Sequence, residues 1–247
     1  GGGNNVHSKC NNSSVTVSTL SGYENTIYSI GNNSAVTFTG TGYRNKVYSE
    51  GNDSTVTVTG VGATNEVYSK GSNSGITFTG AGASNKVYSQ GFNSDITFTG
   101  GGGSNEVYTT GSHSVIIVNS AAAENTIYSE GEGSWIHINS AGYNNTVRSH
   151  GEGSHITIVS AAGGGNNVHS KGNNSSVTVT TVAGWSNTIY SKGNNSAVTF
   201  TGVGASNTIY SEGNDSAVTV TGVGASNKIY SEGTNSAITL TGDGATN

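Results

Sequence analysis

The residues with acid–base or metal-binding side chains gather in one stretch. His113, Glu130, Glu132, Trp135, His137, His150, Glu152 and His155 fall close together. Imidazole and carboxylate ligands together suit Zn or Cu. Glu132 and Glu152 occupy the same place in successive repeats, as do Glu130 and His150. The candidates for a metal site are His137, His155, Glu132 and Glu152. The expectation is nevertheless no metal and no cofactor, because a solvated, variant stretch of a repetitive chain accounts for the same residues. The calcium-binding repeat G-G-x-G-x-D is absent, so calcium-dependent folding is not expected.

Catalysis has little support. Serine is abundant, with 37 copies, but none is paired with a fixed His and acid. Near-perfect repetition singles out no position, whereas an active site must. The chain is therefore expected not to be an enzyme. Cys10 is the single cysteine and cannot form an internal disulfide. Asn52-Asp53-Ser54 and Asn214-Asp215-Ser216 match the N-glycan acceptor pattern. Ordinary turn chemistry explains them as well.

These residues sit on a chain built from one motif. Asn4, Asn25, Asn45, Asn65, Asn85, Asn105, Asn125, Asn145, Asn166, Asn187, Asn207 and Asn227 each open a unit of about 20 residues, a period typical of stacked repeats. The consensus is N-x-[VI]-Y-S-x-G-x-x-S-x-[VI]-T-[VF]-T-G-x-G-x-x. A longer period overlies it: Gly1–Lys9 returns as Gly163–Lys171, eight units later. The chain is thus one continuous array over 1–247, with an eight-rung block at 4–165 and a second, partial block at 166–247.

Each unit carries two runs of period two. Asn25, Ile27 and Ser29 share one face, and Thr26, Tyr28 and Ile30 the other. Ser34, Val36 and Phe38 share a face, opposite Ala35, Thr37 and Thr39. Such alternation marks a half-buried strand. Glycines at 31, 40 and 42 punctuate the ends, where positive φ or close backbone approach is expected. No segment has a helical period. A two-strand unit cannot bury enough apolar surface to offset the entropy of ordering its backbone, so identical units must stack. The expected fold is all-β: a β-solenoid of twelve two-strand rungs with parallel, in-register ladders and no evident caps.

Stacking turns sequence columns into ladders. Val6, Ile27, Val47 and their successors to Ile229 form one core column. Val15 to Ile238 and Val17 to Leu240 form two more. The Asn and Ser columns are expected to hydrogen-bond along the axis and close the thin core. Lys46, Glu66, Lys86 and Glu106 follow the column Asn with alternating signs. In-register stacking at about 4.8 Å favours that order.

Composition agrees. Gly, Ser, Thr and Asn supply 139 of 247 residues, and hydrophobic residues only 32%. Charged residues are 9%, against about 25% in an ordinary domain. These values exclude a conventional single-core globule. No apolar run of about 18 residues exists to span a membrane, and no basic patch points to nucleic acid. The chain opens on Gly rather than Met, which suggests a mature product or a piece of a longer array.

Two outward columns remain for function. The first holds Tyr28, Tyr48, Tyr68, Tyr88, Tyr108, Tyr128, Tyr190, Tyr210 and Tyr230, with His7, Arg148 and His169 in the same column. An aromatic stripe of that length exceeds what a lone soluble protein usually exposes. Packing against another copy is the first expectation, and stacking on a polysaccharide the second. The other is Thr-x-Thr: Thr37/Thr39, Thr57/Thr59, Thr77/Thr79, Thr97/Thr99, Thr199/Thr201 and Thr219/Thr221, with related pairs at 178/180 and 239/241. Ile117/Asn119, His137/Asn139 and Thr157/Val159 interrupt it.

The Thr-x-Thr columns resemble the flat threonine face of insect β-solenoid antifreeze proteins, and more loosely the grass ice-binding and bacterial ice-nucleation solenoids. That resemblance implies ice as a ligand of the Thr face. The regular rungs also resemble extracellular fibre and adhesin solenoids. The leading expectation is a secreted structural protein of a filament, sheath or surface stalk, at the cell surface or beyond it. Its partners would be copies of itself, end to end and laterally, with Asn247 opening the next rung. Ice binding and a carbohydrate-binding adhesin stalk are the alternatives.

Overall fold

A computed structural model describes residues 3–19, 22–60, 62, 64–120, 123–139, 142–160, 163–204, 206–222 and 226–242. The expected joint at Asn247 lies outside them. Among the described residues there are 24 strands and no helix. They run in chain order from β1 (Asn4–Ser8) and β2 (Ser14–Thr19) to β23 (Ser226–Glu232) and β24 (Ala237–Thr241). Odd-numbered strands form one 12-stranded sheet and even-numbered strands another, each strand next to its equivalent in the neighbouring rung. Pairing is parallel and in register, as in Tyr28 opposite Tyr48 and Val36 opposite Val56. A register shift occurs between Thr181 and Gly184, where β18 (Ser176–Gly184) meets β20 (Ala197–Gly204). The chain is a two-sheet β-solenoid of twelve rungs.

The core is the thin layer between the sheets. Ile27, Val36, Phe38, Val67, Phe78 and Phe98 are all 0–1% exposed, and the three apolar columns run through the rungs as the alternation requires. Phe78 and Phe98 stack at 5.0 Å. At the far end Ile238 and Leu240 are 48% and 46% exposed, whereas Val218 and Val220 one rung earlier are buried.

The turns divide the two roles foreseen for glycine. At Gly51 a Cβ would lie 2.0 Å from the Gly31 carbonyl oxygen, so close approach excludes a side chain there. Positive φ falls two residues later, at Asn33 (54°), Asp53 (55°) and Asn73 (53°). Short polar side chains tolerate that left-handed region. His113 holds it at 57°, and Gly133 and Gly153 take it over in the next rungs. The turn before the column Asn changes in the middle of the rod: Ser104, Glu124, Asn144, Gly165 and Ser186 have positive φ. There β11 (Glu106–Thr109) starts later in its unit than β9 (Ser84–Ser89).

The Asn column closes the core as expected. Asn45 Nδ2 donates to Asn65 Oδ1 at 2.8 Å, Asn65 to Asn85 at 2.9 Å and Asn85 to Asn105 at 2.9 Å. The Ser columns do not form the same ladder. Ser29, Ser49, Ser69, Ser89, Ser129, Ser149 and Ser170 bury hydroxyls without a partner. The reason is geometric. An amide carries donor and acceptor on separate atoms and can bridge one rung. A hydroxyl is a single atom, and in this column its neighbour lies a full rung, about 4.8 Å, away, unlike Ser13 and Ser34, whose hydroxyls meet at 3.2 Å. The other Ser column avoids this by turning to backbone: Ser74 Oγ donates to the Gly51 carbonyl and Ser94 Oγ to the Gly71 carbonyl, both at 3.0 Å.

Candidate functional site

The two outward columns lie on opposite sheets. On the odd-numbered sheet the Tyr rings alternate with buried Val or Ile and Ser, so each ring points away from the core. Tyr28–Tyr48, Tyr48–Tyr68 and Tyr68–Tyr88 stack at 4.7, 5.0 and 5.0 Å, within 7° of parallel. Tyr88–Tyr108 tilts to 53°, and Tyr108–Tyr128 returns to 1° at 4.9 Å. His7 extends the stack at 4.8 Å from Tyr28. Offset contacts of this kind contribute about 0.5–1.5 kcal/mol each. Arg148 and His169 interrupt the column. Beyond them Tyr190, Tyr210 and Tyr230 resume it, the last pair at 4.8 Å. The structure thus brings the nine tyrosines together as two runs, of six and three, each stacked apart from one tilted pair.

Carboxylates flank the rings. Glu106 accepts a hydrogen bond from Tyr88 at 3.2 Å, and Glu130 one from Tyr128 at 3.0 Å. Burial, then the negative charge of Glu66, pushes the Tyr68 phenol up to about 12. Tyr88, Tyr108 and Tyr128 are raised by burial and by their own Glu neighbours. Lys46–Glu66 at 3.4 Å and Lys86–Glu106 at 3.1 Å close the alternating-charge column as two separate ion pairs.

On the even-numbered sheet the Thr pairs face away from the core, but their two columns differ. Thr37, Thr57, Thr77 and Thr97 stand directly opposite one another from rung to rung. Thr199 and Thr219 do the same further along. Of these, only Thr77 is fully exposed, and the other five are half-buried. In the second column Thr39, Thr59, Thr79, Thr99, Thr201 and Thr221 are all exposed. Its amides keep the ladder bond, as Thr79 N–H donates to the Val58 carbonyl at 2.8 Å, but the strands end at different points along it. Thr39 belongs to β4 (Ala35–Gly40), Thr201 to β20, and Thr221 to β22 (Ala217–Thr221). Thr59, Thr79 and Thr99 instead fall just past the ends of β6 (Thr55–Val58), β8 (Gly75–Phe78) and β10 (Asp95–Phe98). There Thr79 Oγ1 reaches the Val58 carbonyl at 3.5 Å and Thr99 Oγ1 the Phe78 carbonyl at 3.4 Å, so each hydroxyl turns back to the preceding rung. Thr39 and Thr59 hydroxyls meet at 3.1 Å. Thr201 stays paired in the ladder, opposite Thr180 on one side and Thr221 on the other. Between the two sets Ile117 and His137 occupy the first column, followed by Thr157 and Thr178. The Thr face is therefore two patches, one containing Thr37–Thr99 and the other Thr199–Thr221, separated by bulkier side chains.

The metal candidates are not brought together. His137 and His155 lie on the Thr face, where His155 meets the Trp135 ring at 5.2 Å and its Nδ1 lies 2.6 Å from Ser176 Oγ. Glu132 and Glu152 lie in the turns, where the Glu152 carboxylate accepts from Asn174 at 3.0 Å. Among the described residues no three of His, Cys, Asp and Glu are placed to share a metal ion.

One grouping was missed in sequence. Arg148, His150, His169 and Lys171 stand side by side where the Tyr column is interrupted. The signal was present: Arg148 and His169, and likewise His150 and Lys171, hold the same places in successive repeats. No protein family, curated protein or solved structure matches the chain.

Proposed function

We propose that the chain is a non-enzymatic structural rod of an extracellular filament, sheath or surface stalk, which assembles by lateral and end-to-end packing of its solenoid. The observation that supports this best is the run of six rings from Tyr28 to Tyr128, stacked except at the tilted Tyr88–Tyr108 pair and half-exposed along one sheet face. Six rings in register make a rigid aromatic strip, costing little further side-chain entropy when a second flat face covers it. The parallel in-register ladders, in which each strand pairs with its equivalent in the next rung, support the axial part. Placement outside the cell follows the resemblance to extracellular solenoids.

The test replaces Tyr48, Tyr68 and Tyr88 together by Ser and compares sedimentation and electron micrographs with the parent chain. Bundles are expected to separate into single rods while the β-sheet spectrum is kept. Unchanged bundles would refute lateral packing through the stripe.

The two Thr patches favour a second function, ice binding. Their hydroxyls and methyls repeat at about 4.8 Å along the rod and about 6.6 Å across it. Thermal hysteresis that disappears in Thr57→Tyr would support it, and no hysteresis in the parent chain would dismiss it. A carbohydrate-binding stalk is a third reading, for which the Tyr stripe would be the stacking surface.

A further inference from the structure

Five pairs of neighbouring rungs carry matched charges, although Glu212 also stands directly opposite Glu232. Glu24 meets Arg44 at 3.7 Å, Glu50 meets Lys70 at 3.3 Å, and Lys192 meets Glu212 at 3.3 Å. With Lys46–Glu66 and Lys86–Glu106, each pair sets opposite signs on adjacent strands. Like charges directly opposite would be destabilising.

The rungs of β15 (Thr146–Ser149) and β17 (Asn167–Ser170) instead set basic residues side by side. Arg148 lies directly opposite His169. The same register carried one residue beyond the Ser149–Ser170 pair sets His150 opposite Lys171. Val147, Ser149, Val168 and Ser170 are buried, so the four basic side chains alternate outward on one face. Among the described residues neither Arg148 nor Lys171 forms an ion pair. Lys192 follows Lys171 in its column, but Glu212 takes up its charge.

The surroundings do not neutralise the group. Glu130 faces it from the preceding rung, where it accepts from Tyr128, and the Tyr128 oxygen lies 2.9 Å from His150 Nδ1. Burial, then the charges of Lys171 and Arg148, holds His150 below the ordinary histidine value, although Glu130 pulls the other way. Burial, then Arg148, Lys171 and His150, does the same to His169. The whole chain carries a formal charge of −5, so this basic island is local.

We propose that Arg148, His150, His169 and Lys171 form a binding site for a tetrahedral oxyanion group, a sulfate or phosphate. Such a group supplies the negative charge that a carboxylate supplies to the cation in each of the five ion pairs. Guanidinium and ammonium groups bind its oxygens through charge-assisted hydrogen bonds. A bound anion favours protonated imidazole, so it raises the pKa of both histidines. By linkage, binding tightens as pH falls through the histidine range.

Histidine titration by NMR in the intact chain tests this, with inorganic sulfate and dextran sulfate as probes and neutral dextran as control. The expected result is a rise of about one unit at His150 and His169, and binding about fivefold tighter at pH 5.5 than at 7.5 for each histidine so shifted. The Arg148→Gln/Lys171→Gln variant is expected to lose both effects, while Lys70→Gln, which removes a paired cation elsewhere, keeps them. A response to dextran sulfate alone assigns the site to esters on a polymer, and a response to both probes extends it to the free ion. Histidines indifferent to both probes, or shifts that persist in the double variant, would overturn the proposal.

Discussion

Replacing Asn85 by Ala tests the element that closes the core. Asn85 is 0% exposed. Its Oδ1 accepts from Asn65 Nδ2 at 2.9 Å, and its Nδ2 donates to Asn105 Oδ1 at 2.9 Å and, less favourably, to the Gly82 carbonyl at 3.4 Å. Alanine leaves Asn65 Nδ2 as a buried donor with no acceptor. Asn105 Oδ1 keeps only the longer bond from the Asn85 backbone amide at 3.3 Å. An orphaned buried donor costs about 1–3 kcal/mol, and the lost bonds about 1 kcal/mol each, so the expected loss is about 2–5 kcal/mol. The control is Asn119→Ala, at an exposed position on the Thr face, where the change stays within about 0.5 kcal/mol. Urea unfolding followed by circular dichroism gives both values. Amide hydrogen exchange in the rungs of Asn65 and Asn105 shows whether the loss propagates to nearest neighbours, as stacked repeats require. Asn85→Ala/Asn105→Ala should cost less than the sum of its parts, because the two side chains share a bond. If Asn85→Ala and Asn119→Ala cost the same, the ladder does not hold the rungs together and the reasoning fails.

Other consequences come from the same packing. Ser69→Ala removes a buried hydroxyl that has no partner, so stability should stay level or rise by about 1 kcal/mol, and a clear loss in urea unfolding would contradict this. Gly91→Ala places a Cβ 1.8 Å from the Gly71 carbonyl oxygen; it should destabilise more than Asn85→Ala and open the rod to proteolysis at that rung. Tyr68, with its phenol raised to about 12, should still be neutral at pH 11, visible as the difference in ultraviolet titration between the parent and Tyr68→Phe. The sign follows: stability from the neutral phenol is complete below pH 10 and is lost as pH climbs from 10 through about 12. Titration of Tyr68 at 10 would show that the stack is open to water.

Most of the fold was legible because every rung repeats the same test. Alternation at Ile27, Val36 and Phe38 fixes which side is buried, and the constant spacing of the column Asn fixes the partner. The sign order of Lys46, Glu66, Lys86 and Glu106 supports the register independently. What the sequence hid depends on atoms rather than residue classes. Asn and Ser columns look alike as polar ladders, yet Asn65 reaches Asn85 in the next rung while Ser69 Oγ finds no partner and Ser74 Oγ turns to the Gly51 carbonyl. Thr79 and Thr201 hold the same place in the consensus, yet one lies just past its strand end and the other inside its strand. Glycine at 51 and asparagine at 33 divide close approach and positive φ between them, which composition alone does not resolve. The His- and Glu-rich stretch drew attention as a metal candidate. Its side chains are dispersed between the Thr face and the turns. The basic group of Arg148, His150, His169 and Lys171 was overlooked, because it is assembled across two rungs and forms no run in sequence.

The central claim is assembly of an in-register solenoid rod, and electron microscopy of the dilute, purified chain with diffraction from aligned material tests it most directly. Filaments one or a few solenoids wide are expected, with an axial repeat of about 4.8 Å. Discrete rods of about 58 Å, the length of twelve rungs at that spacing, with no longer species at any concentration, would contradict it.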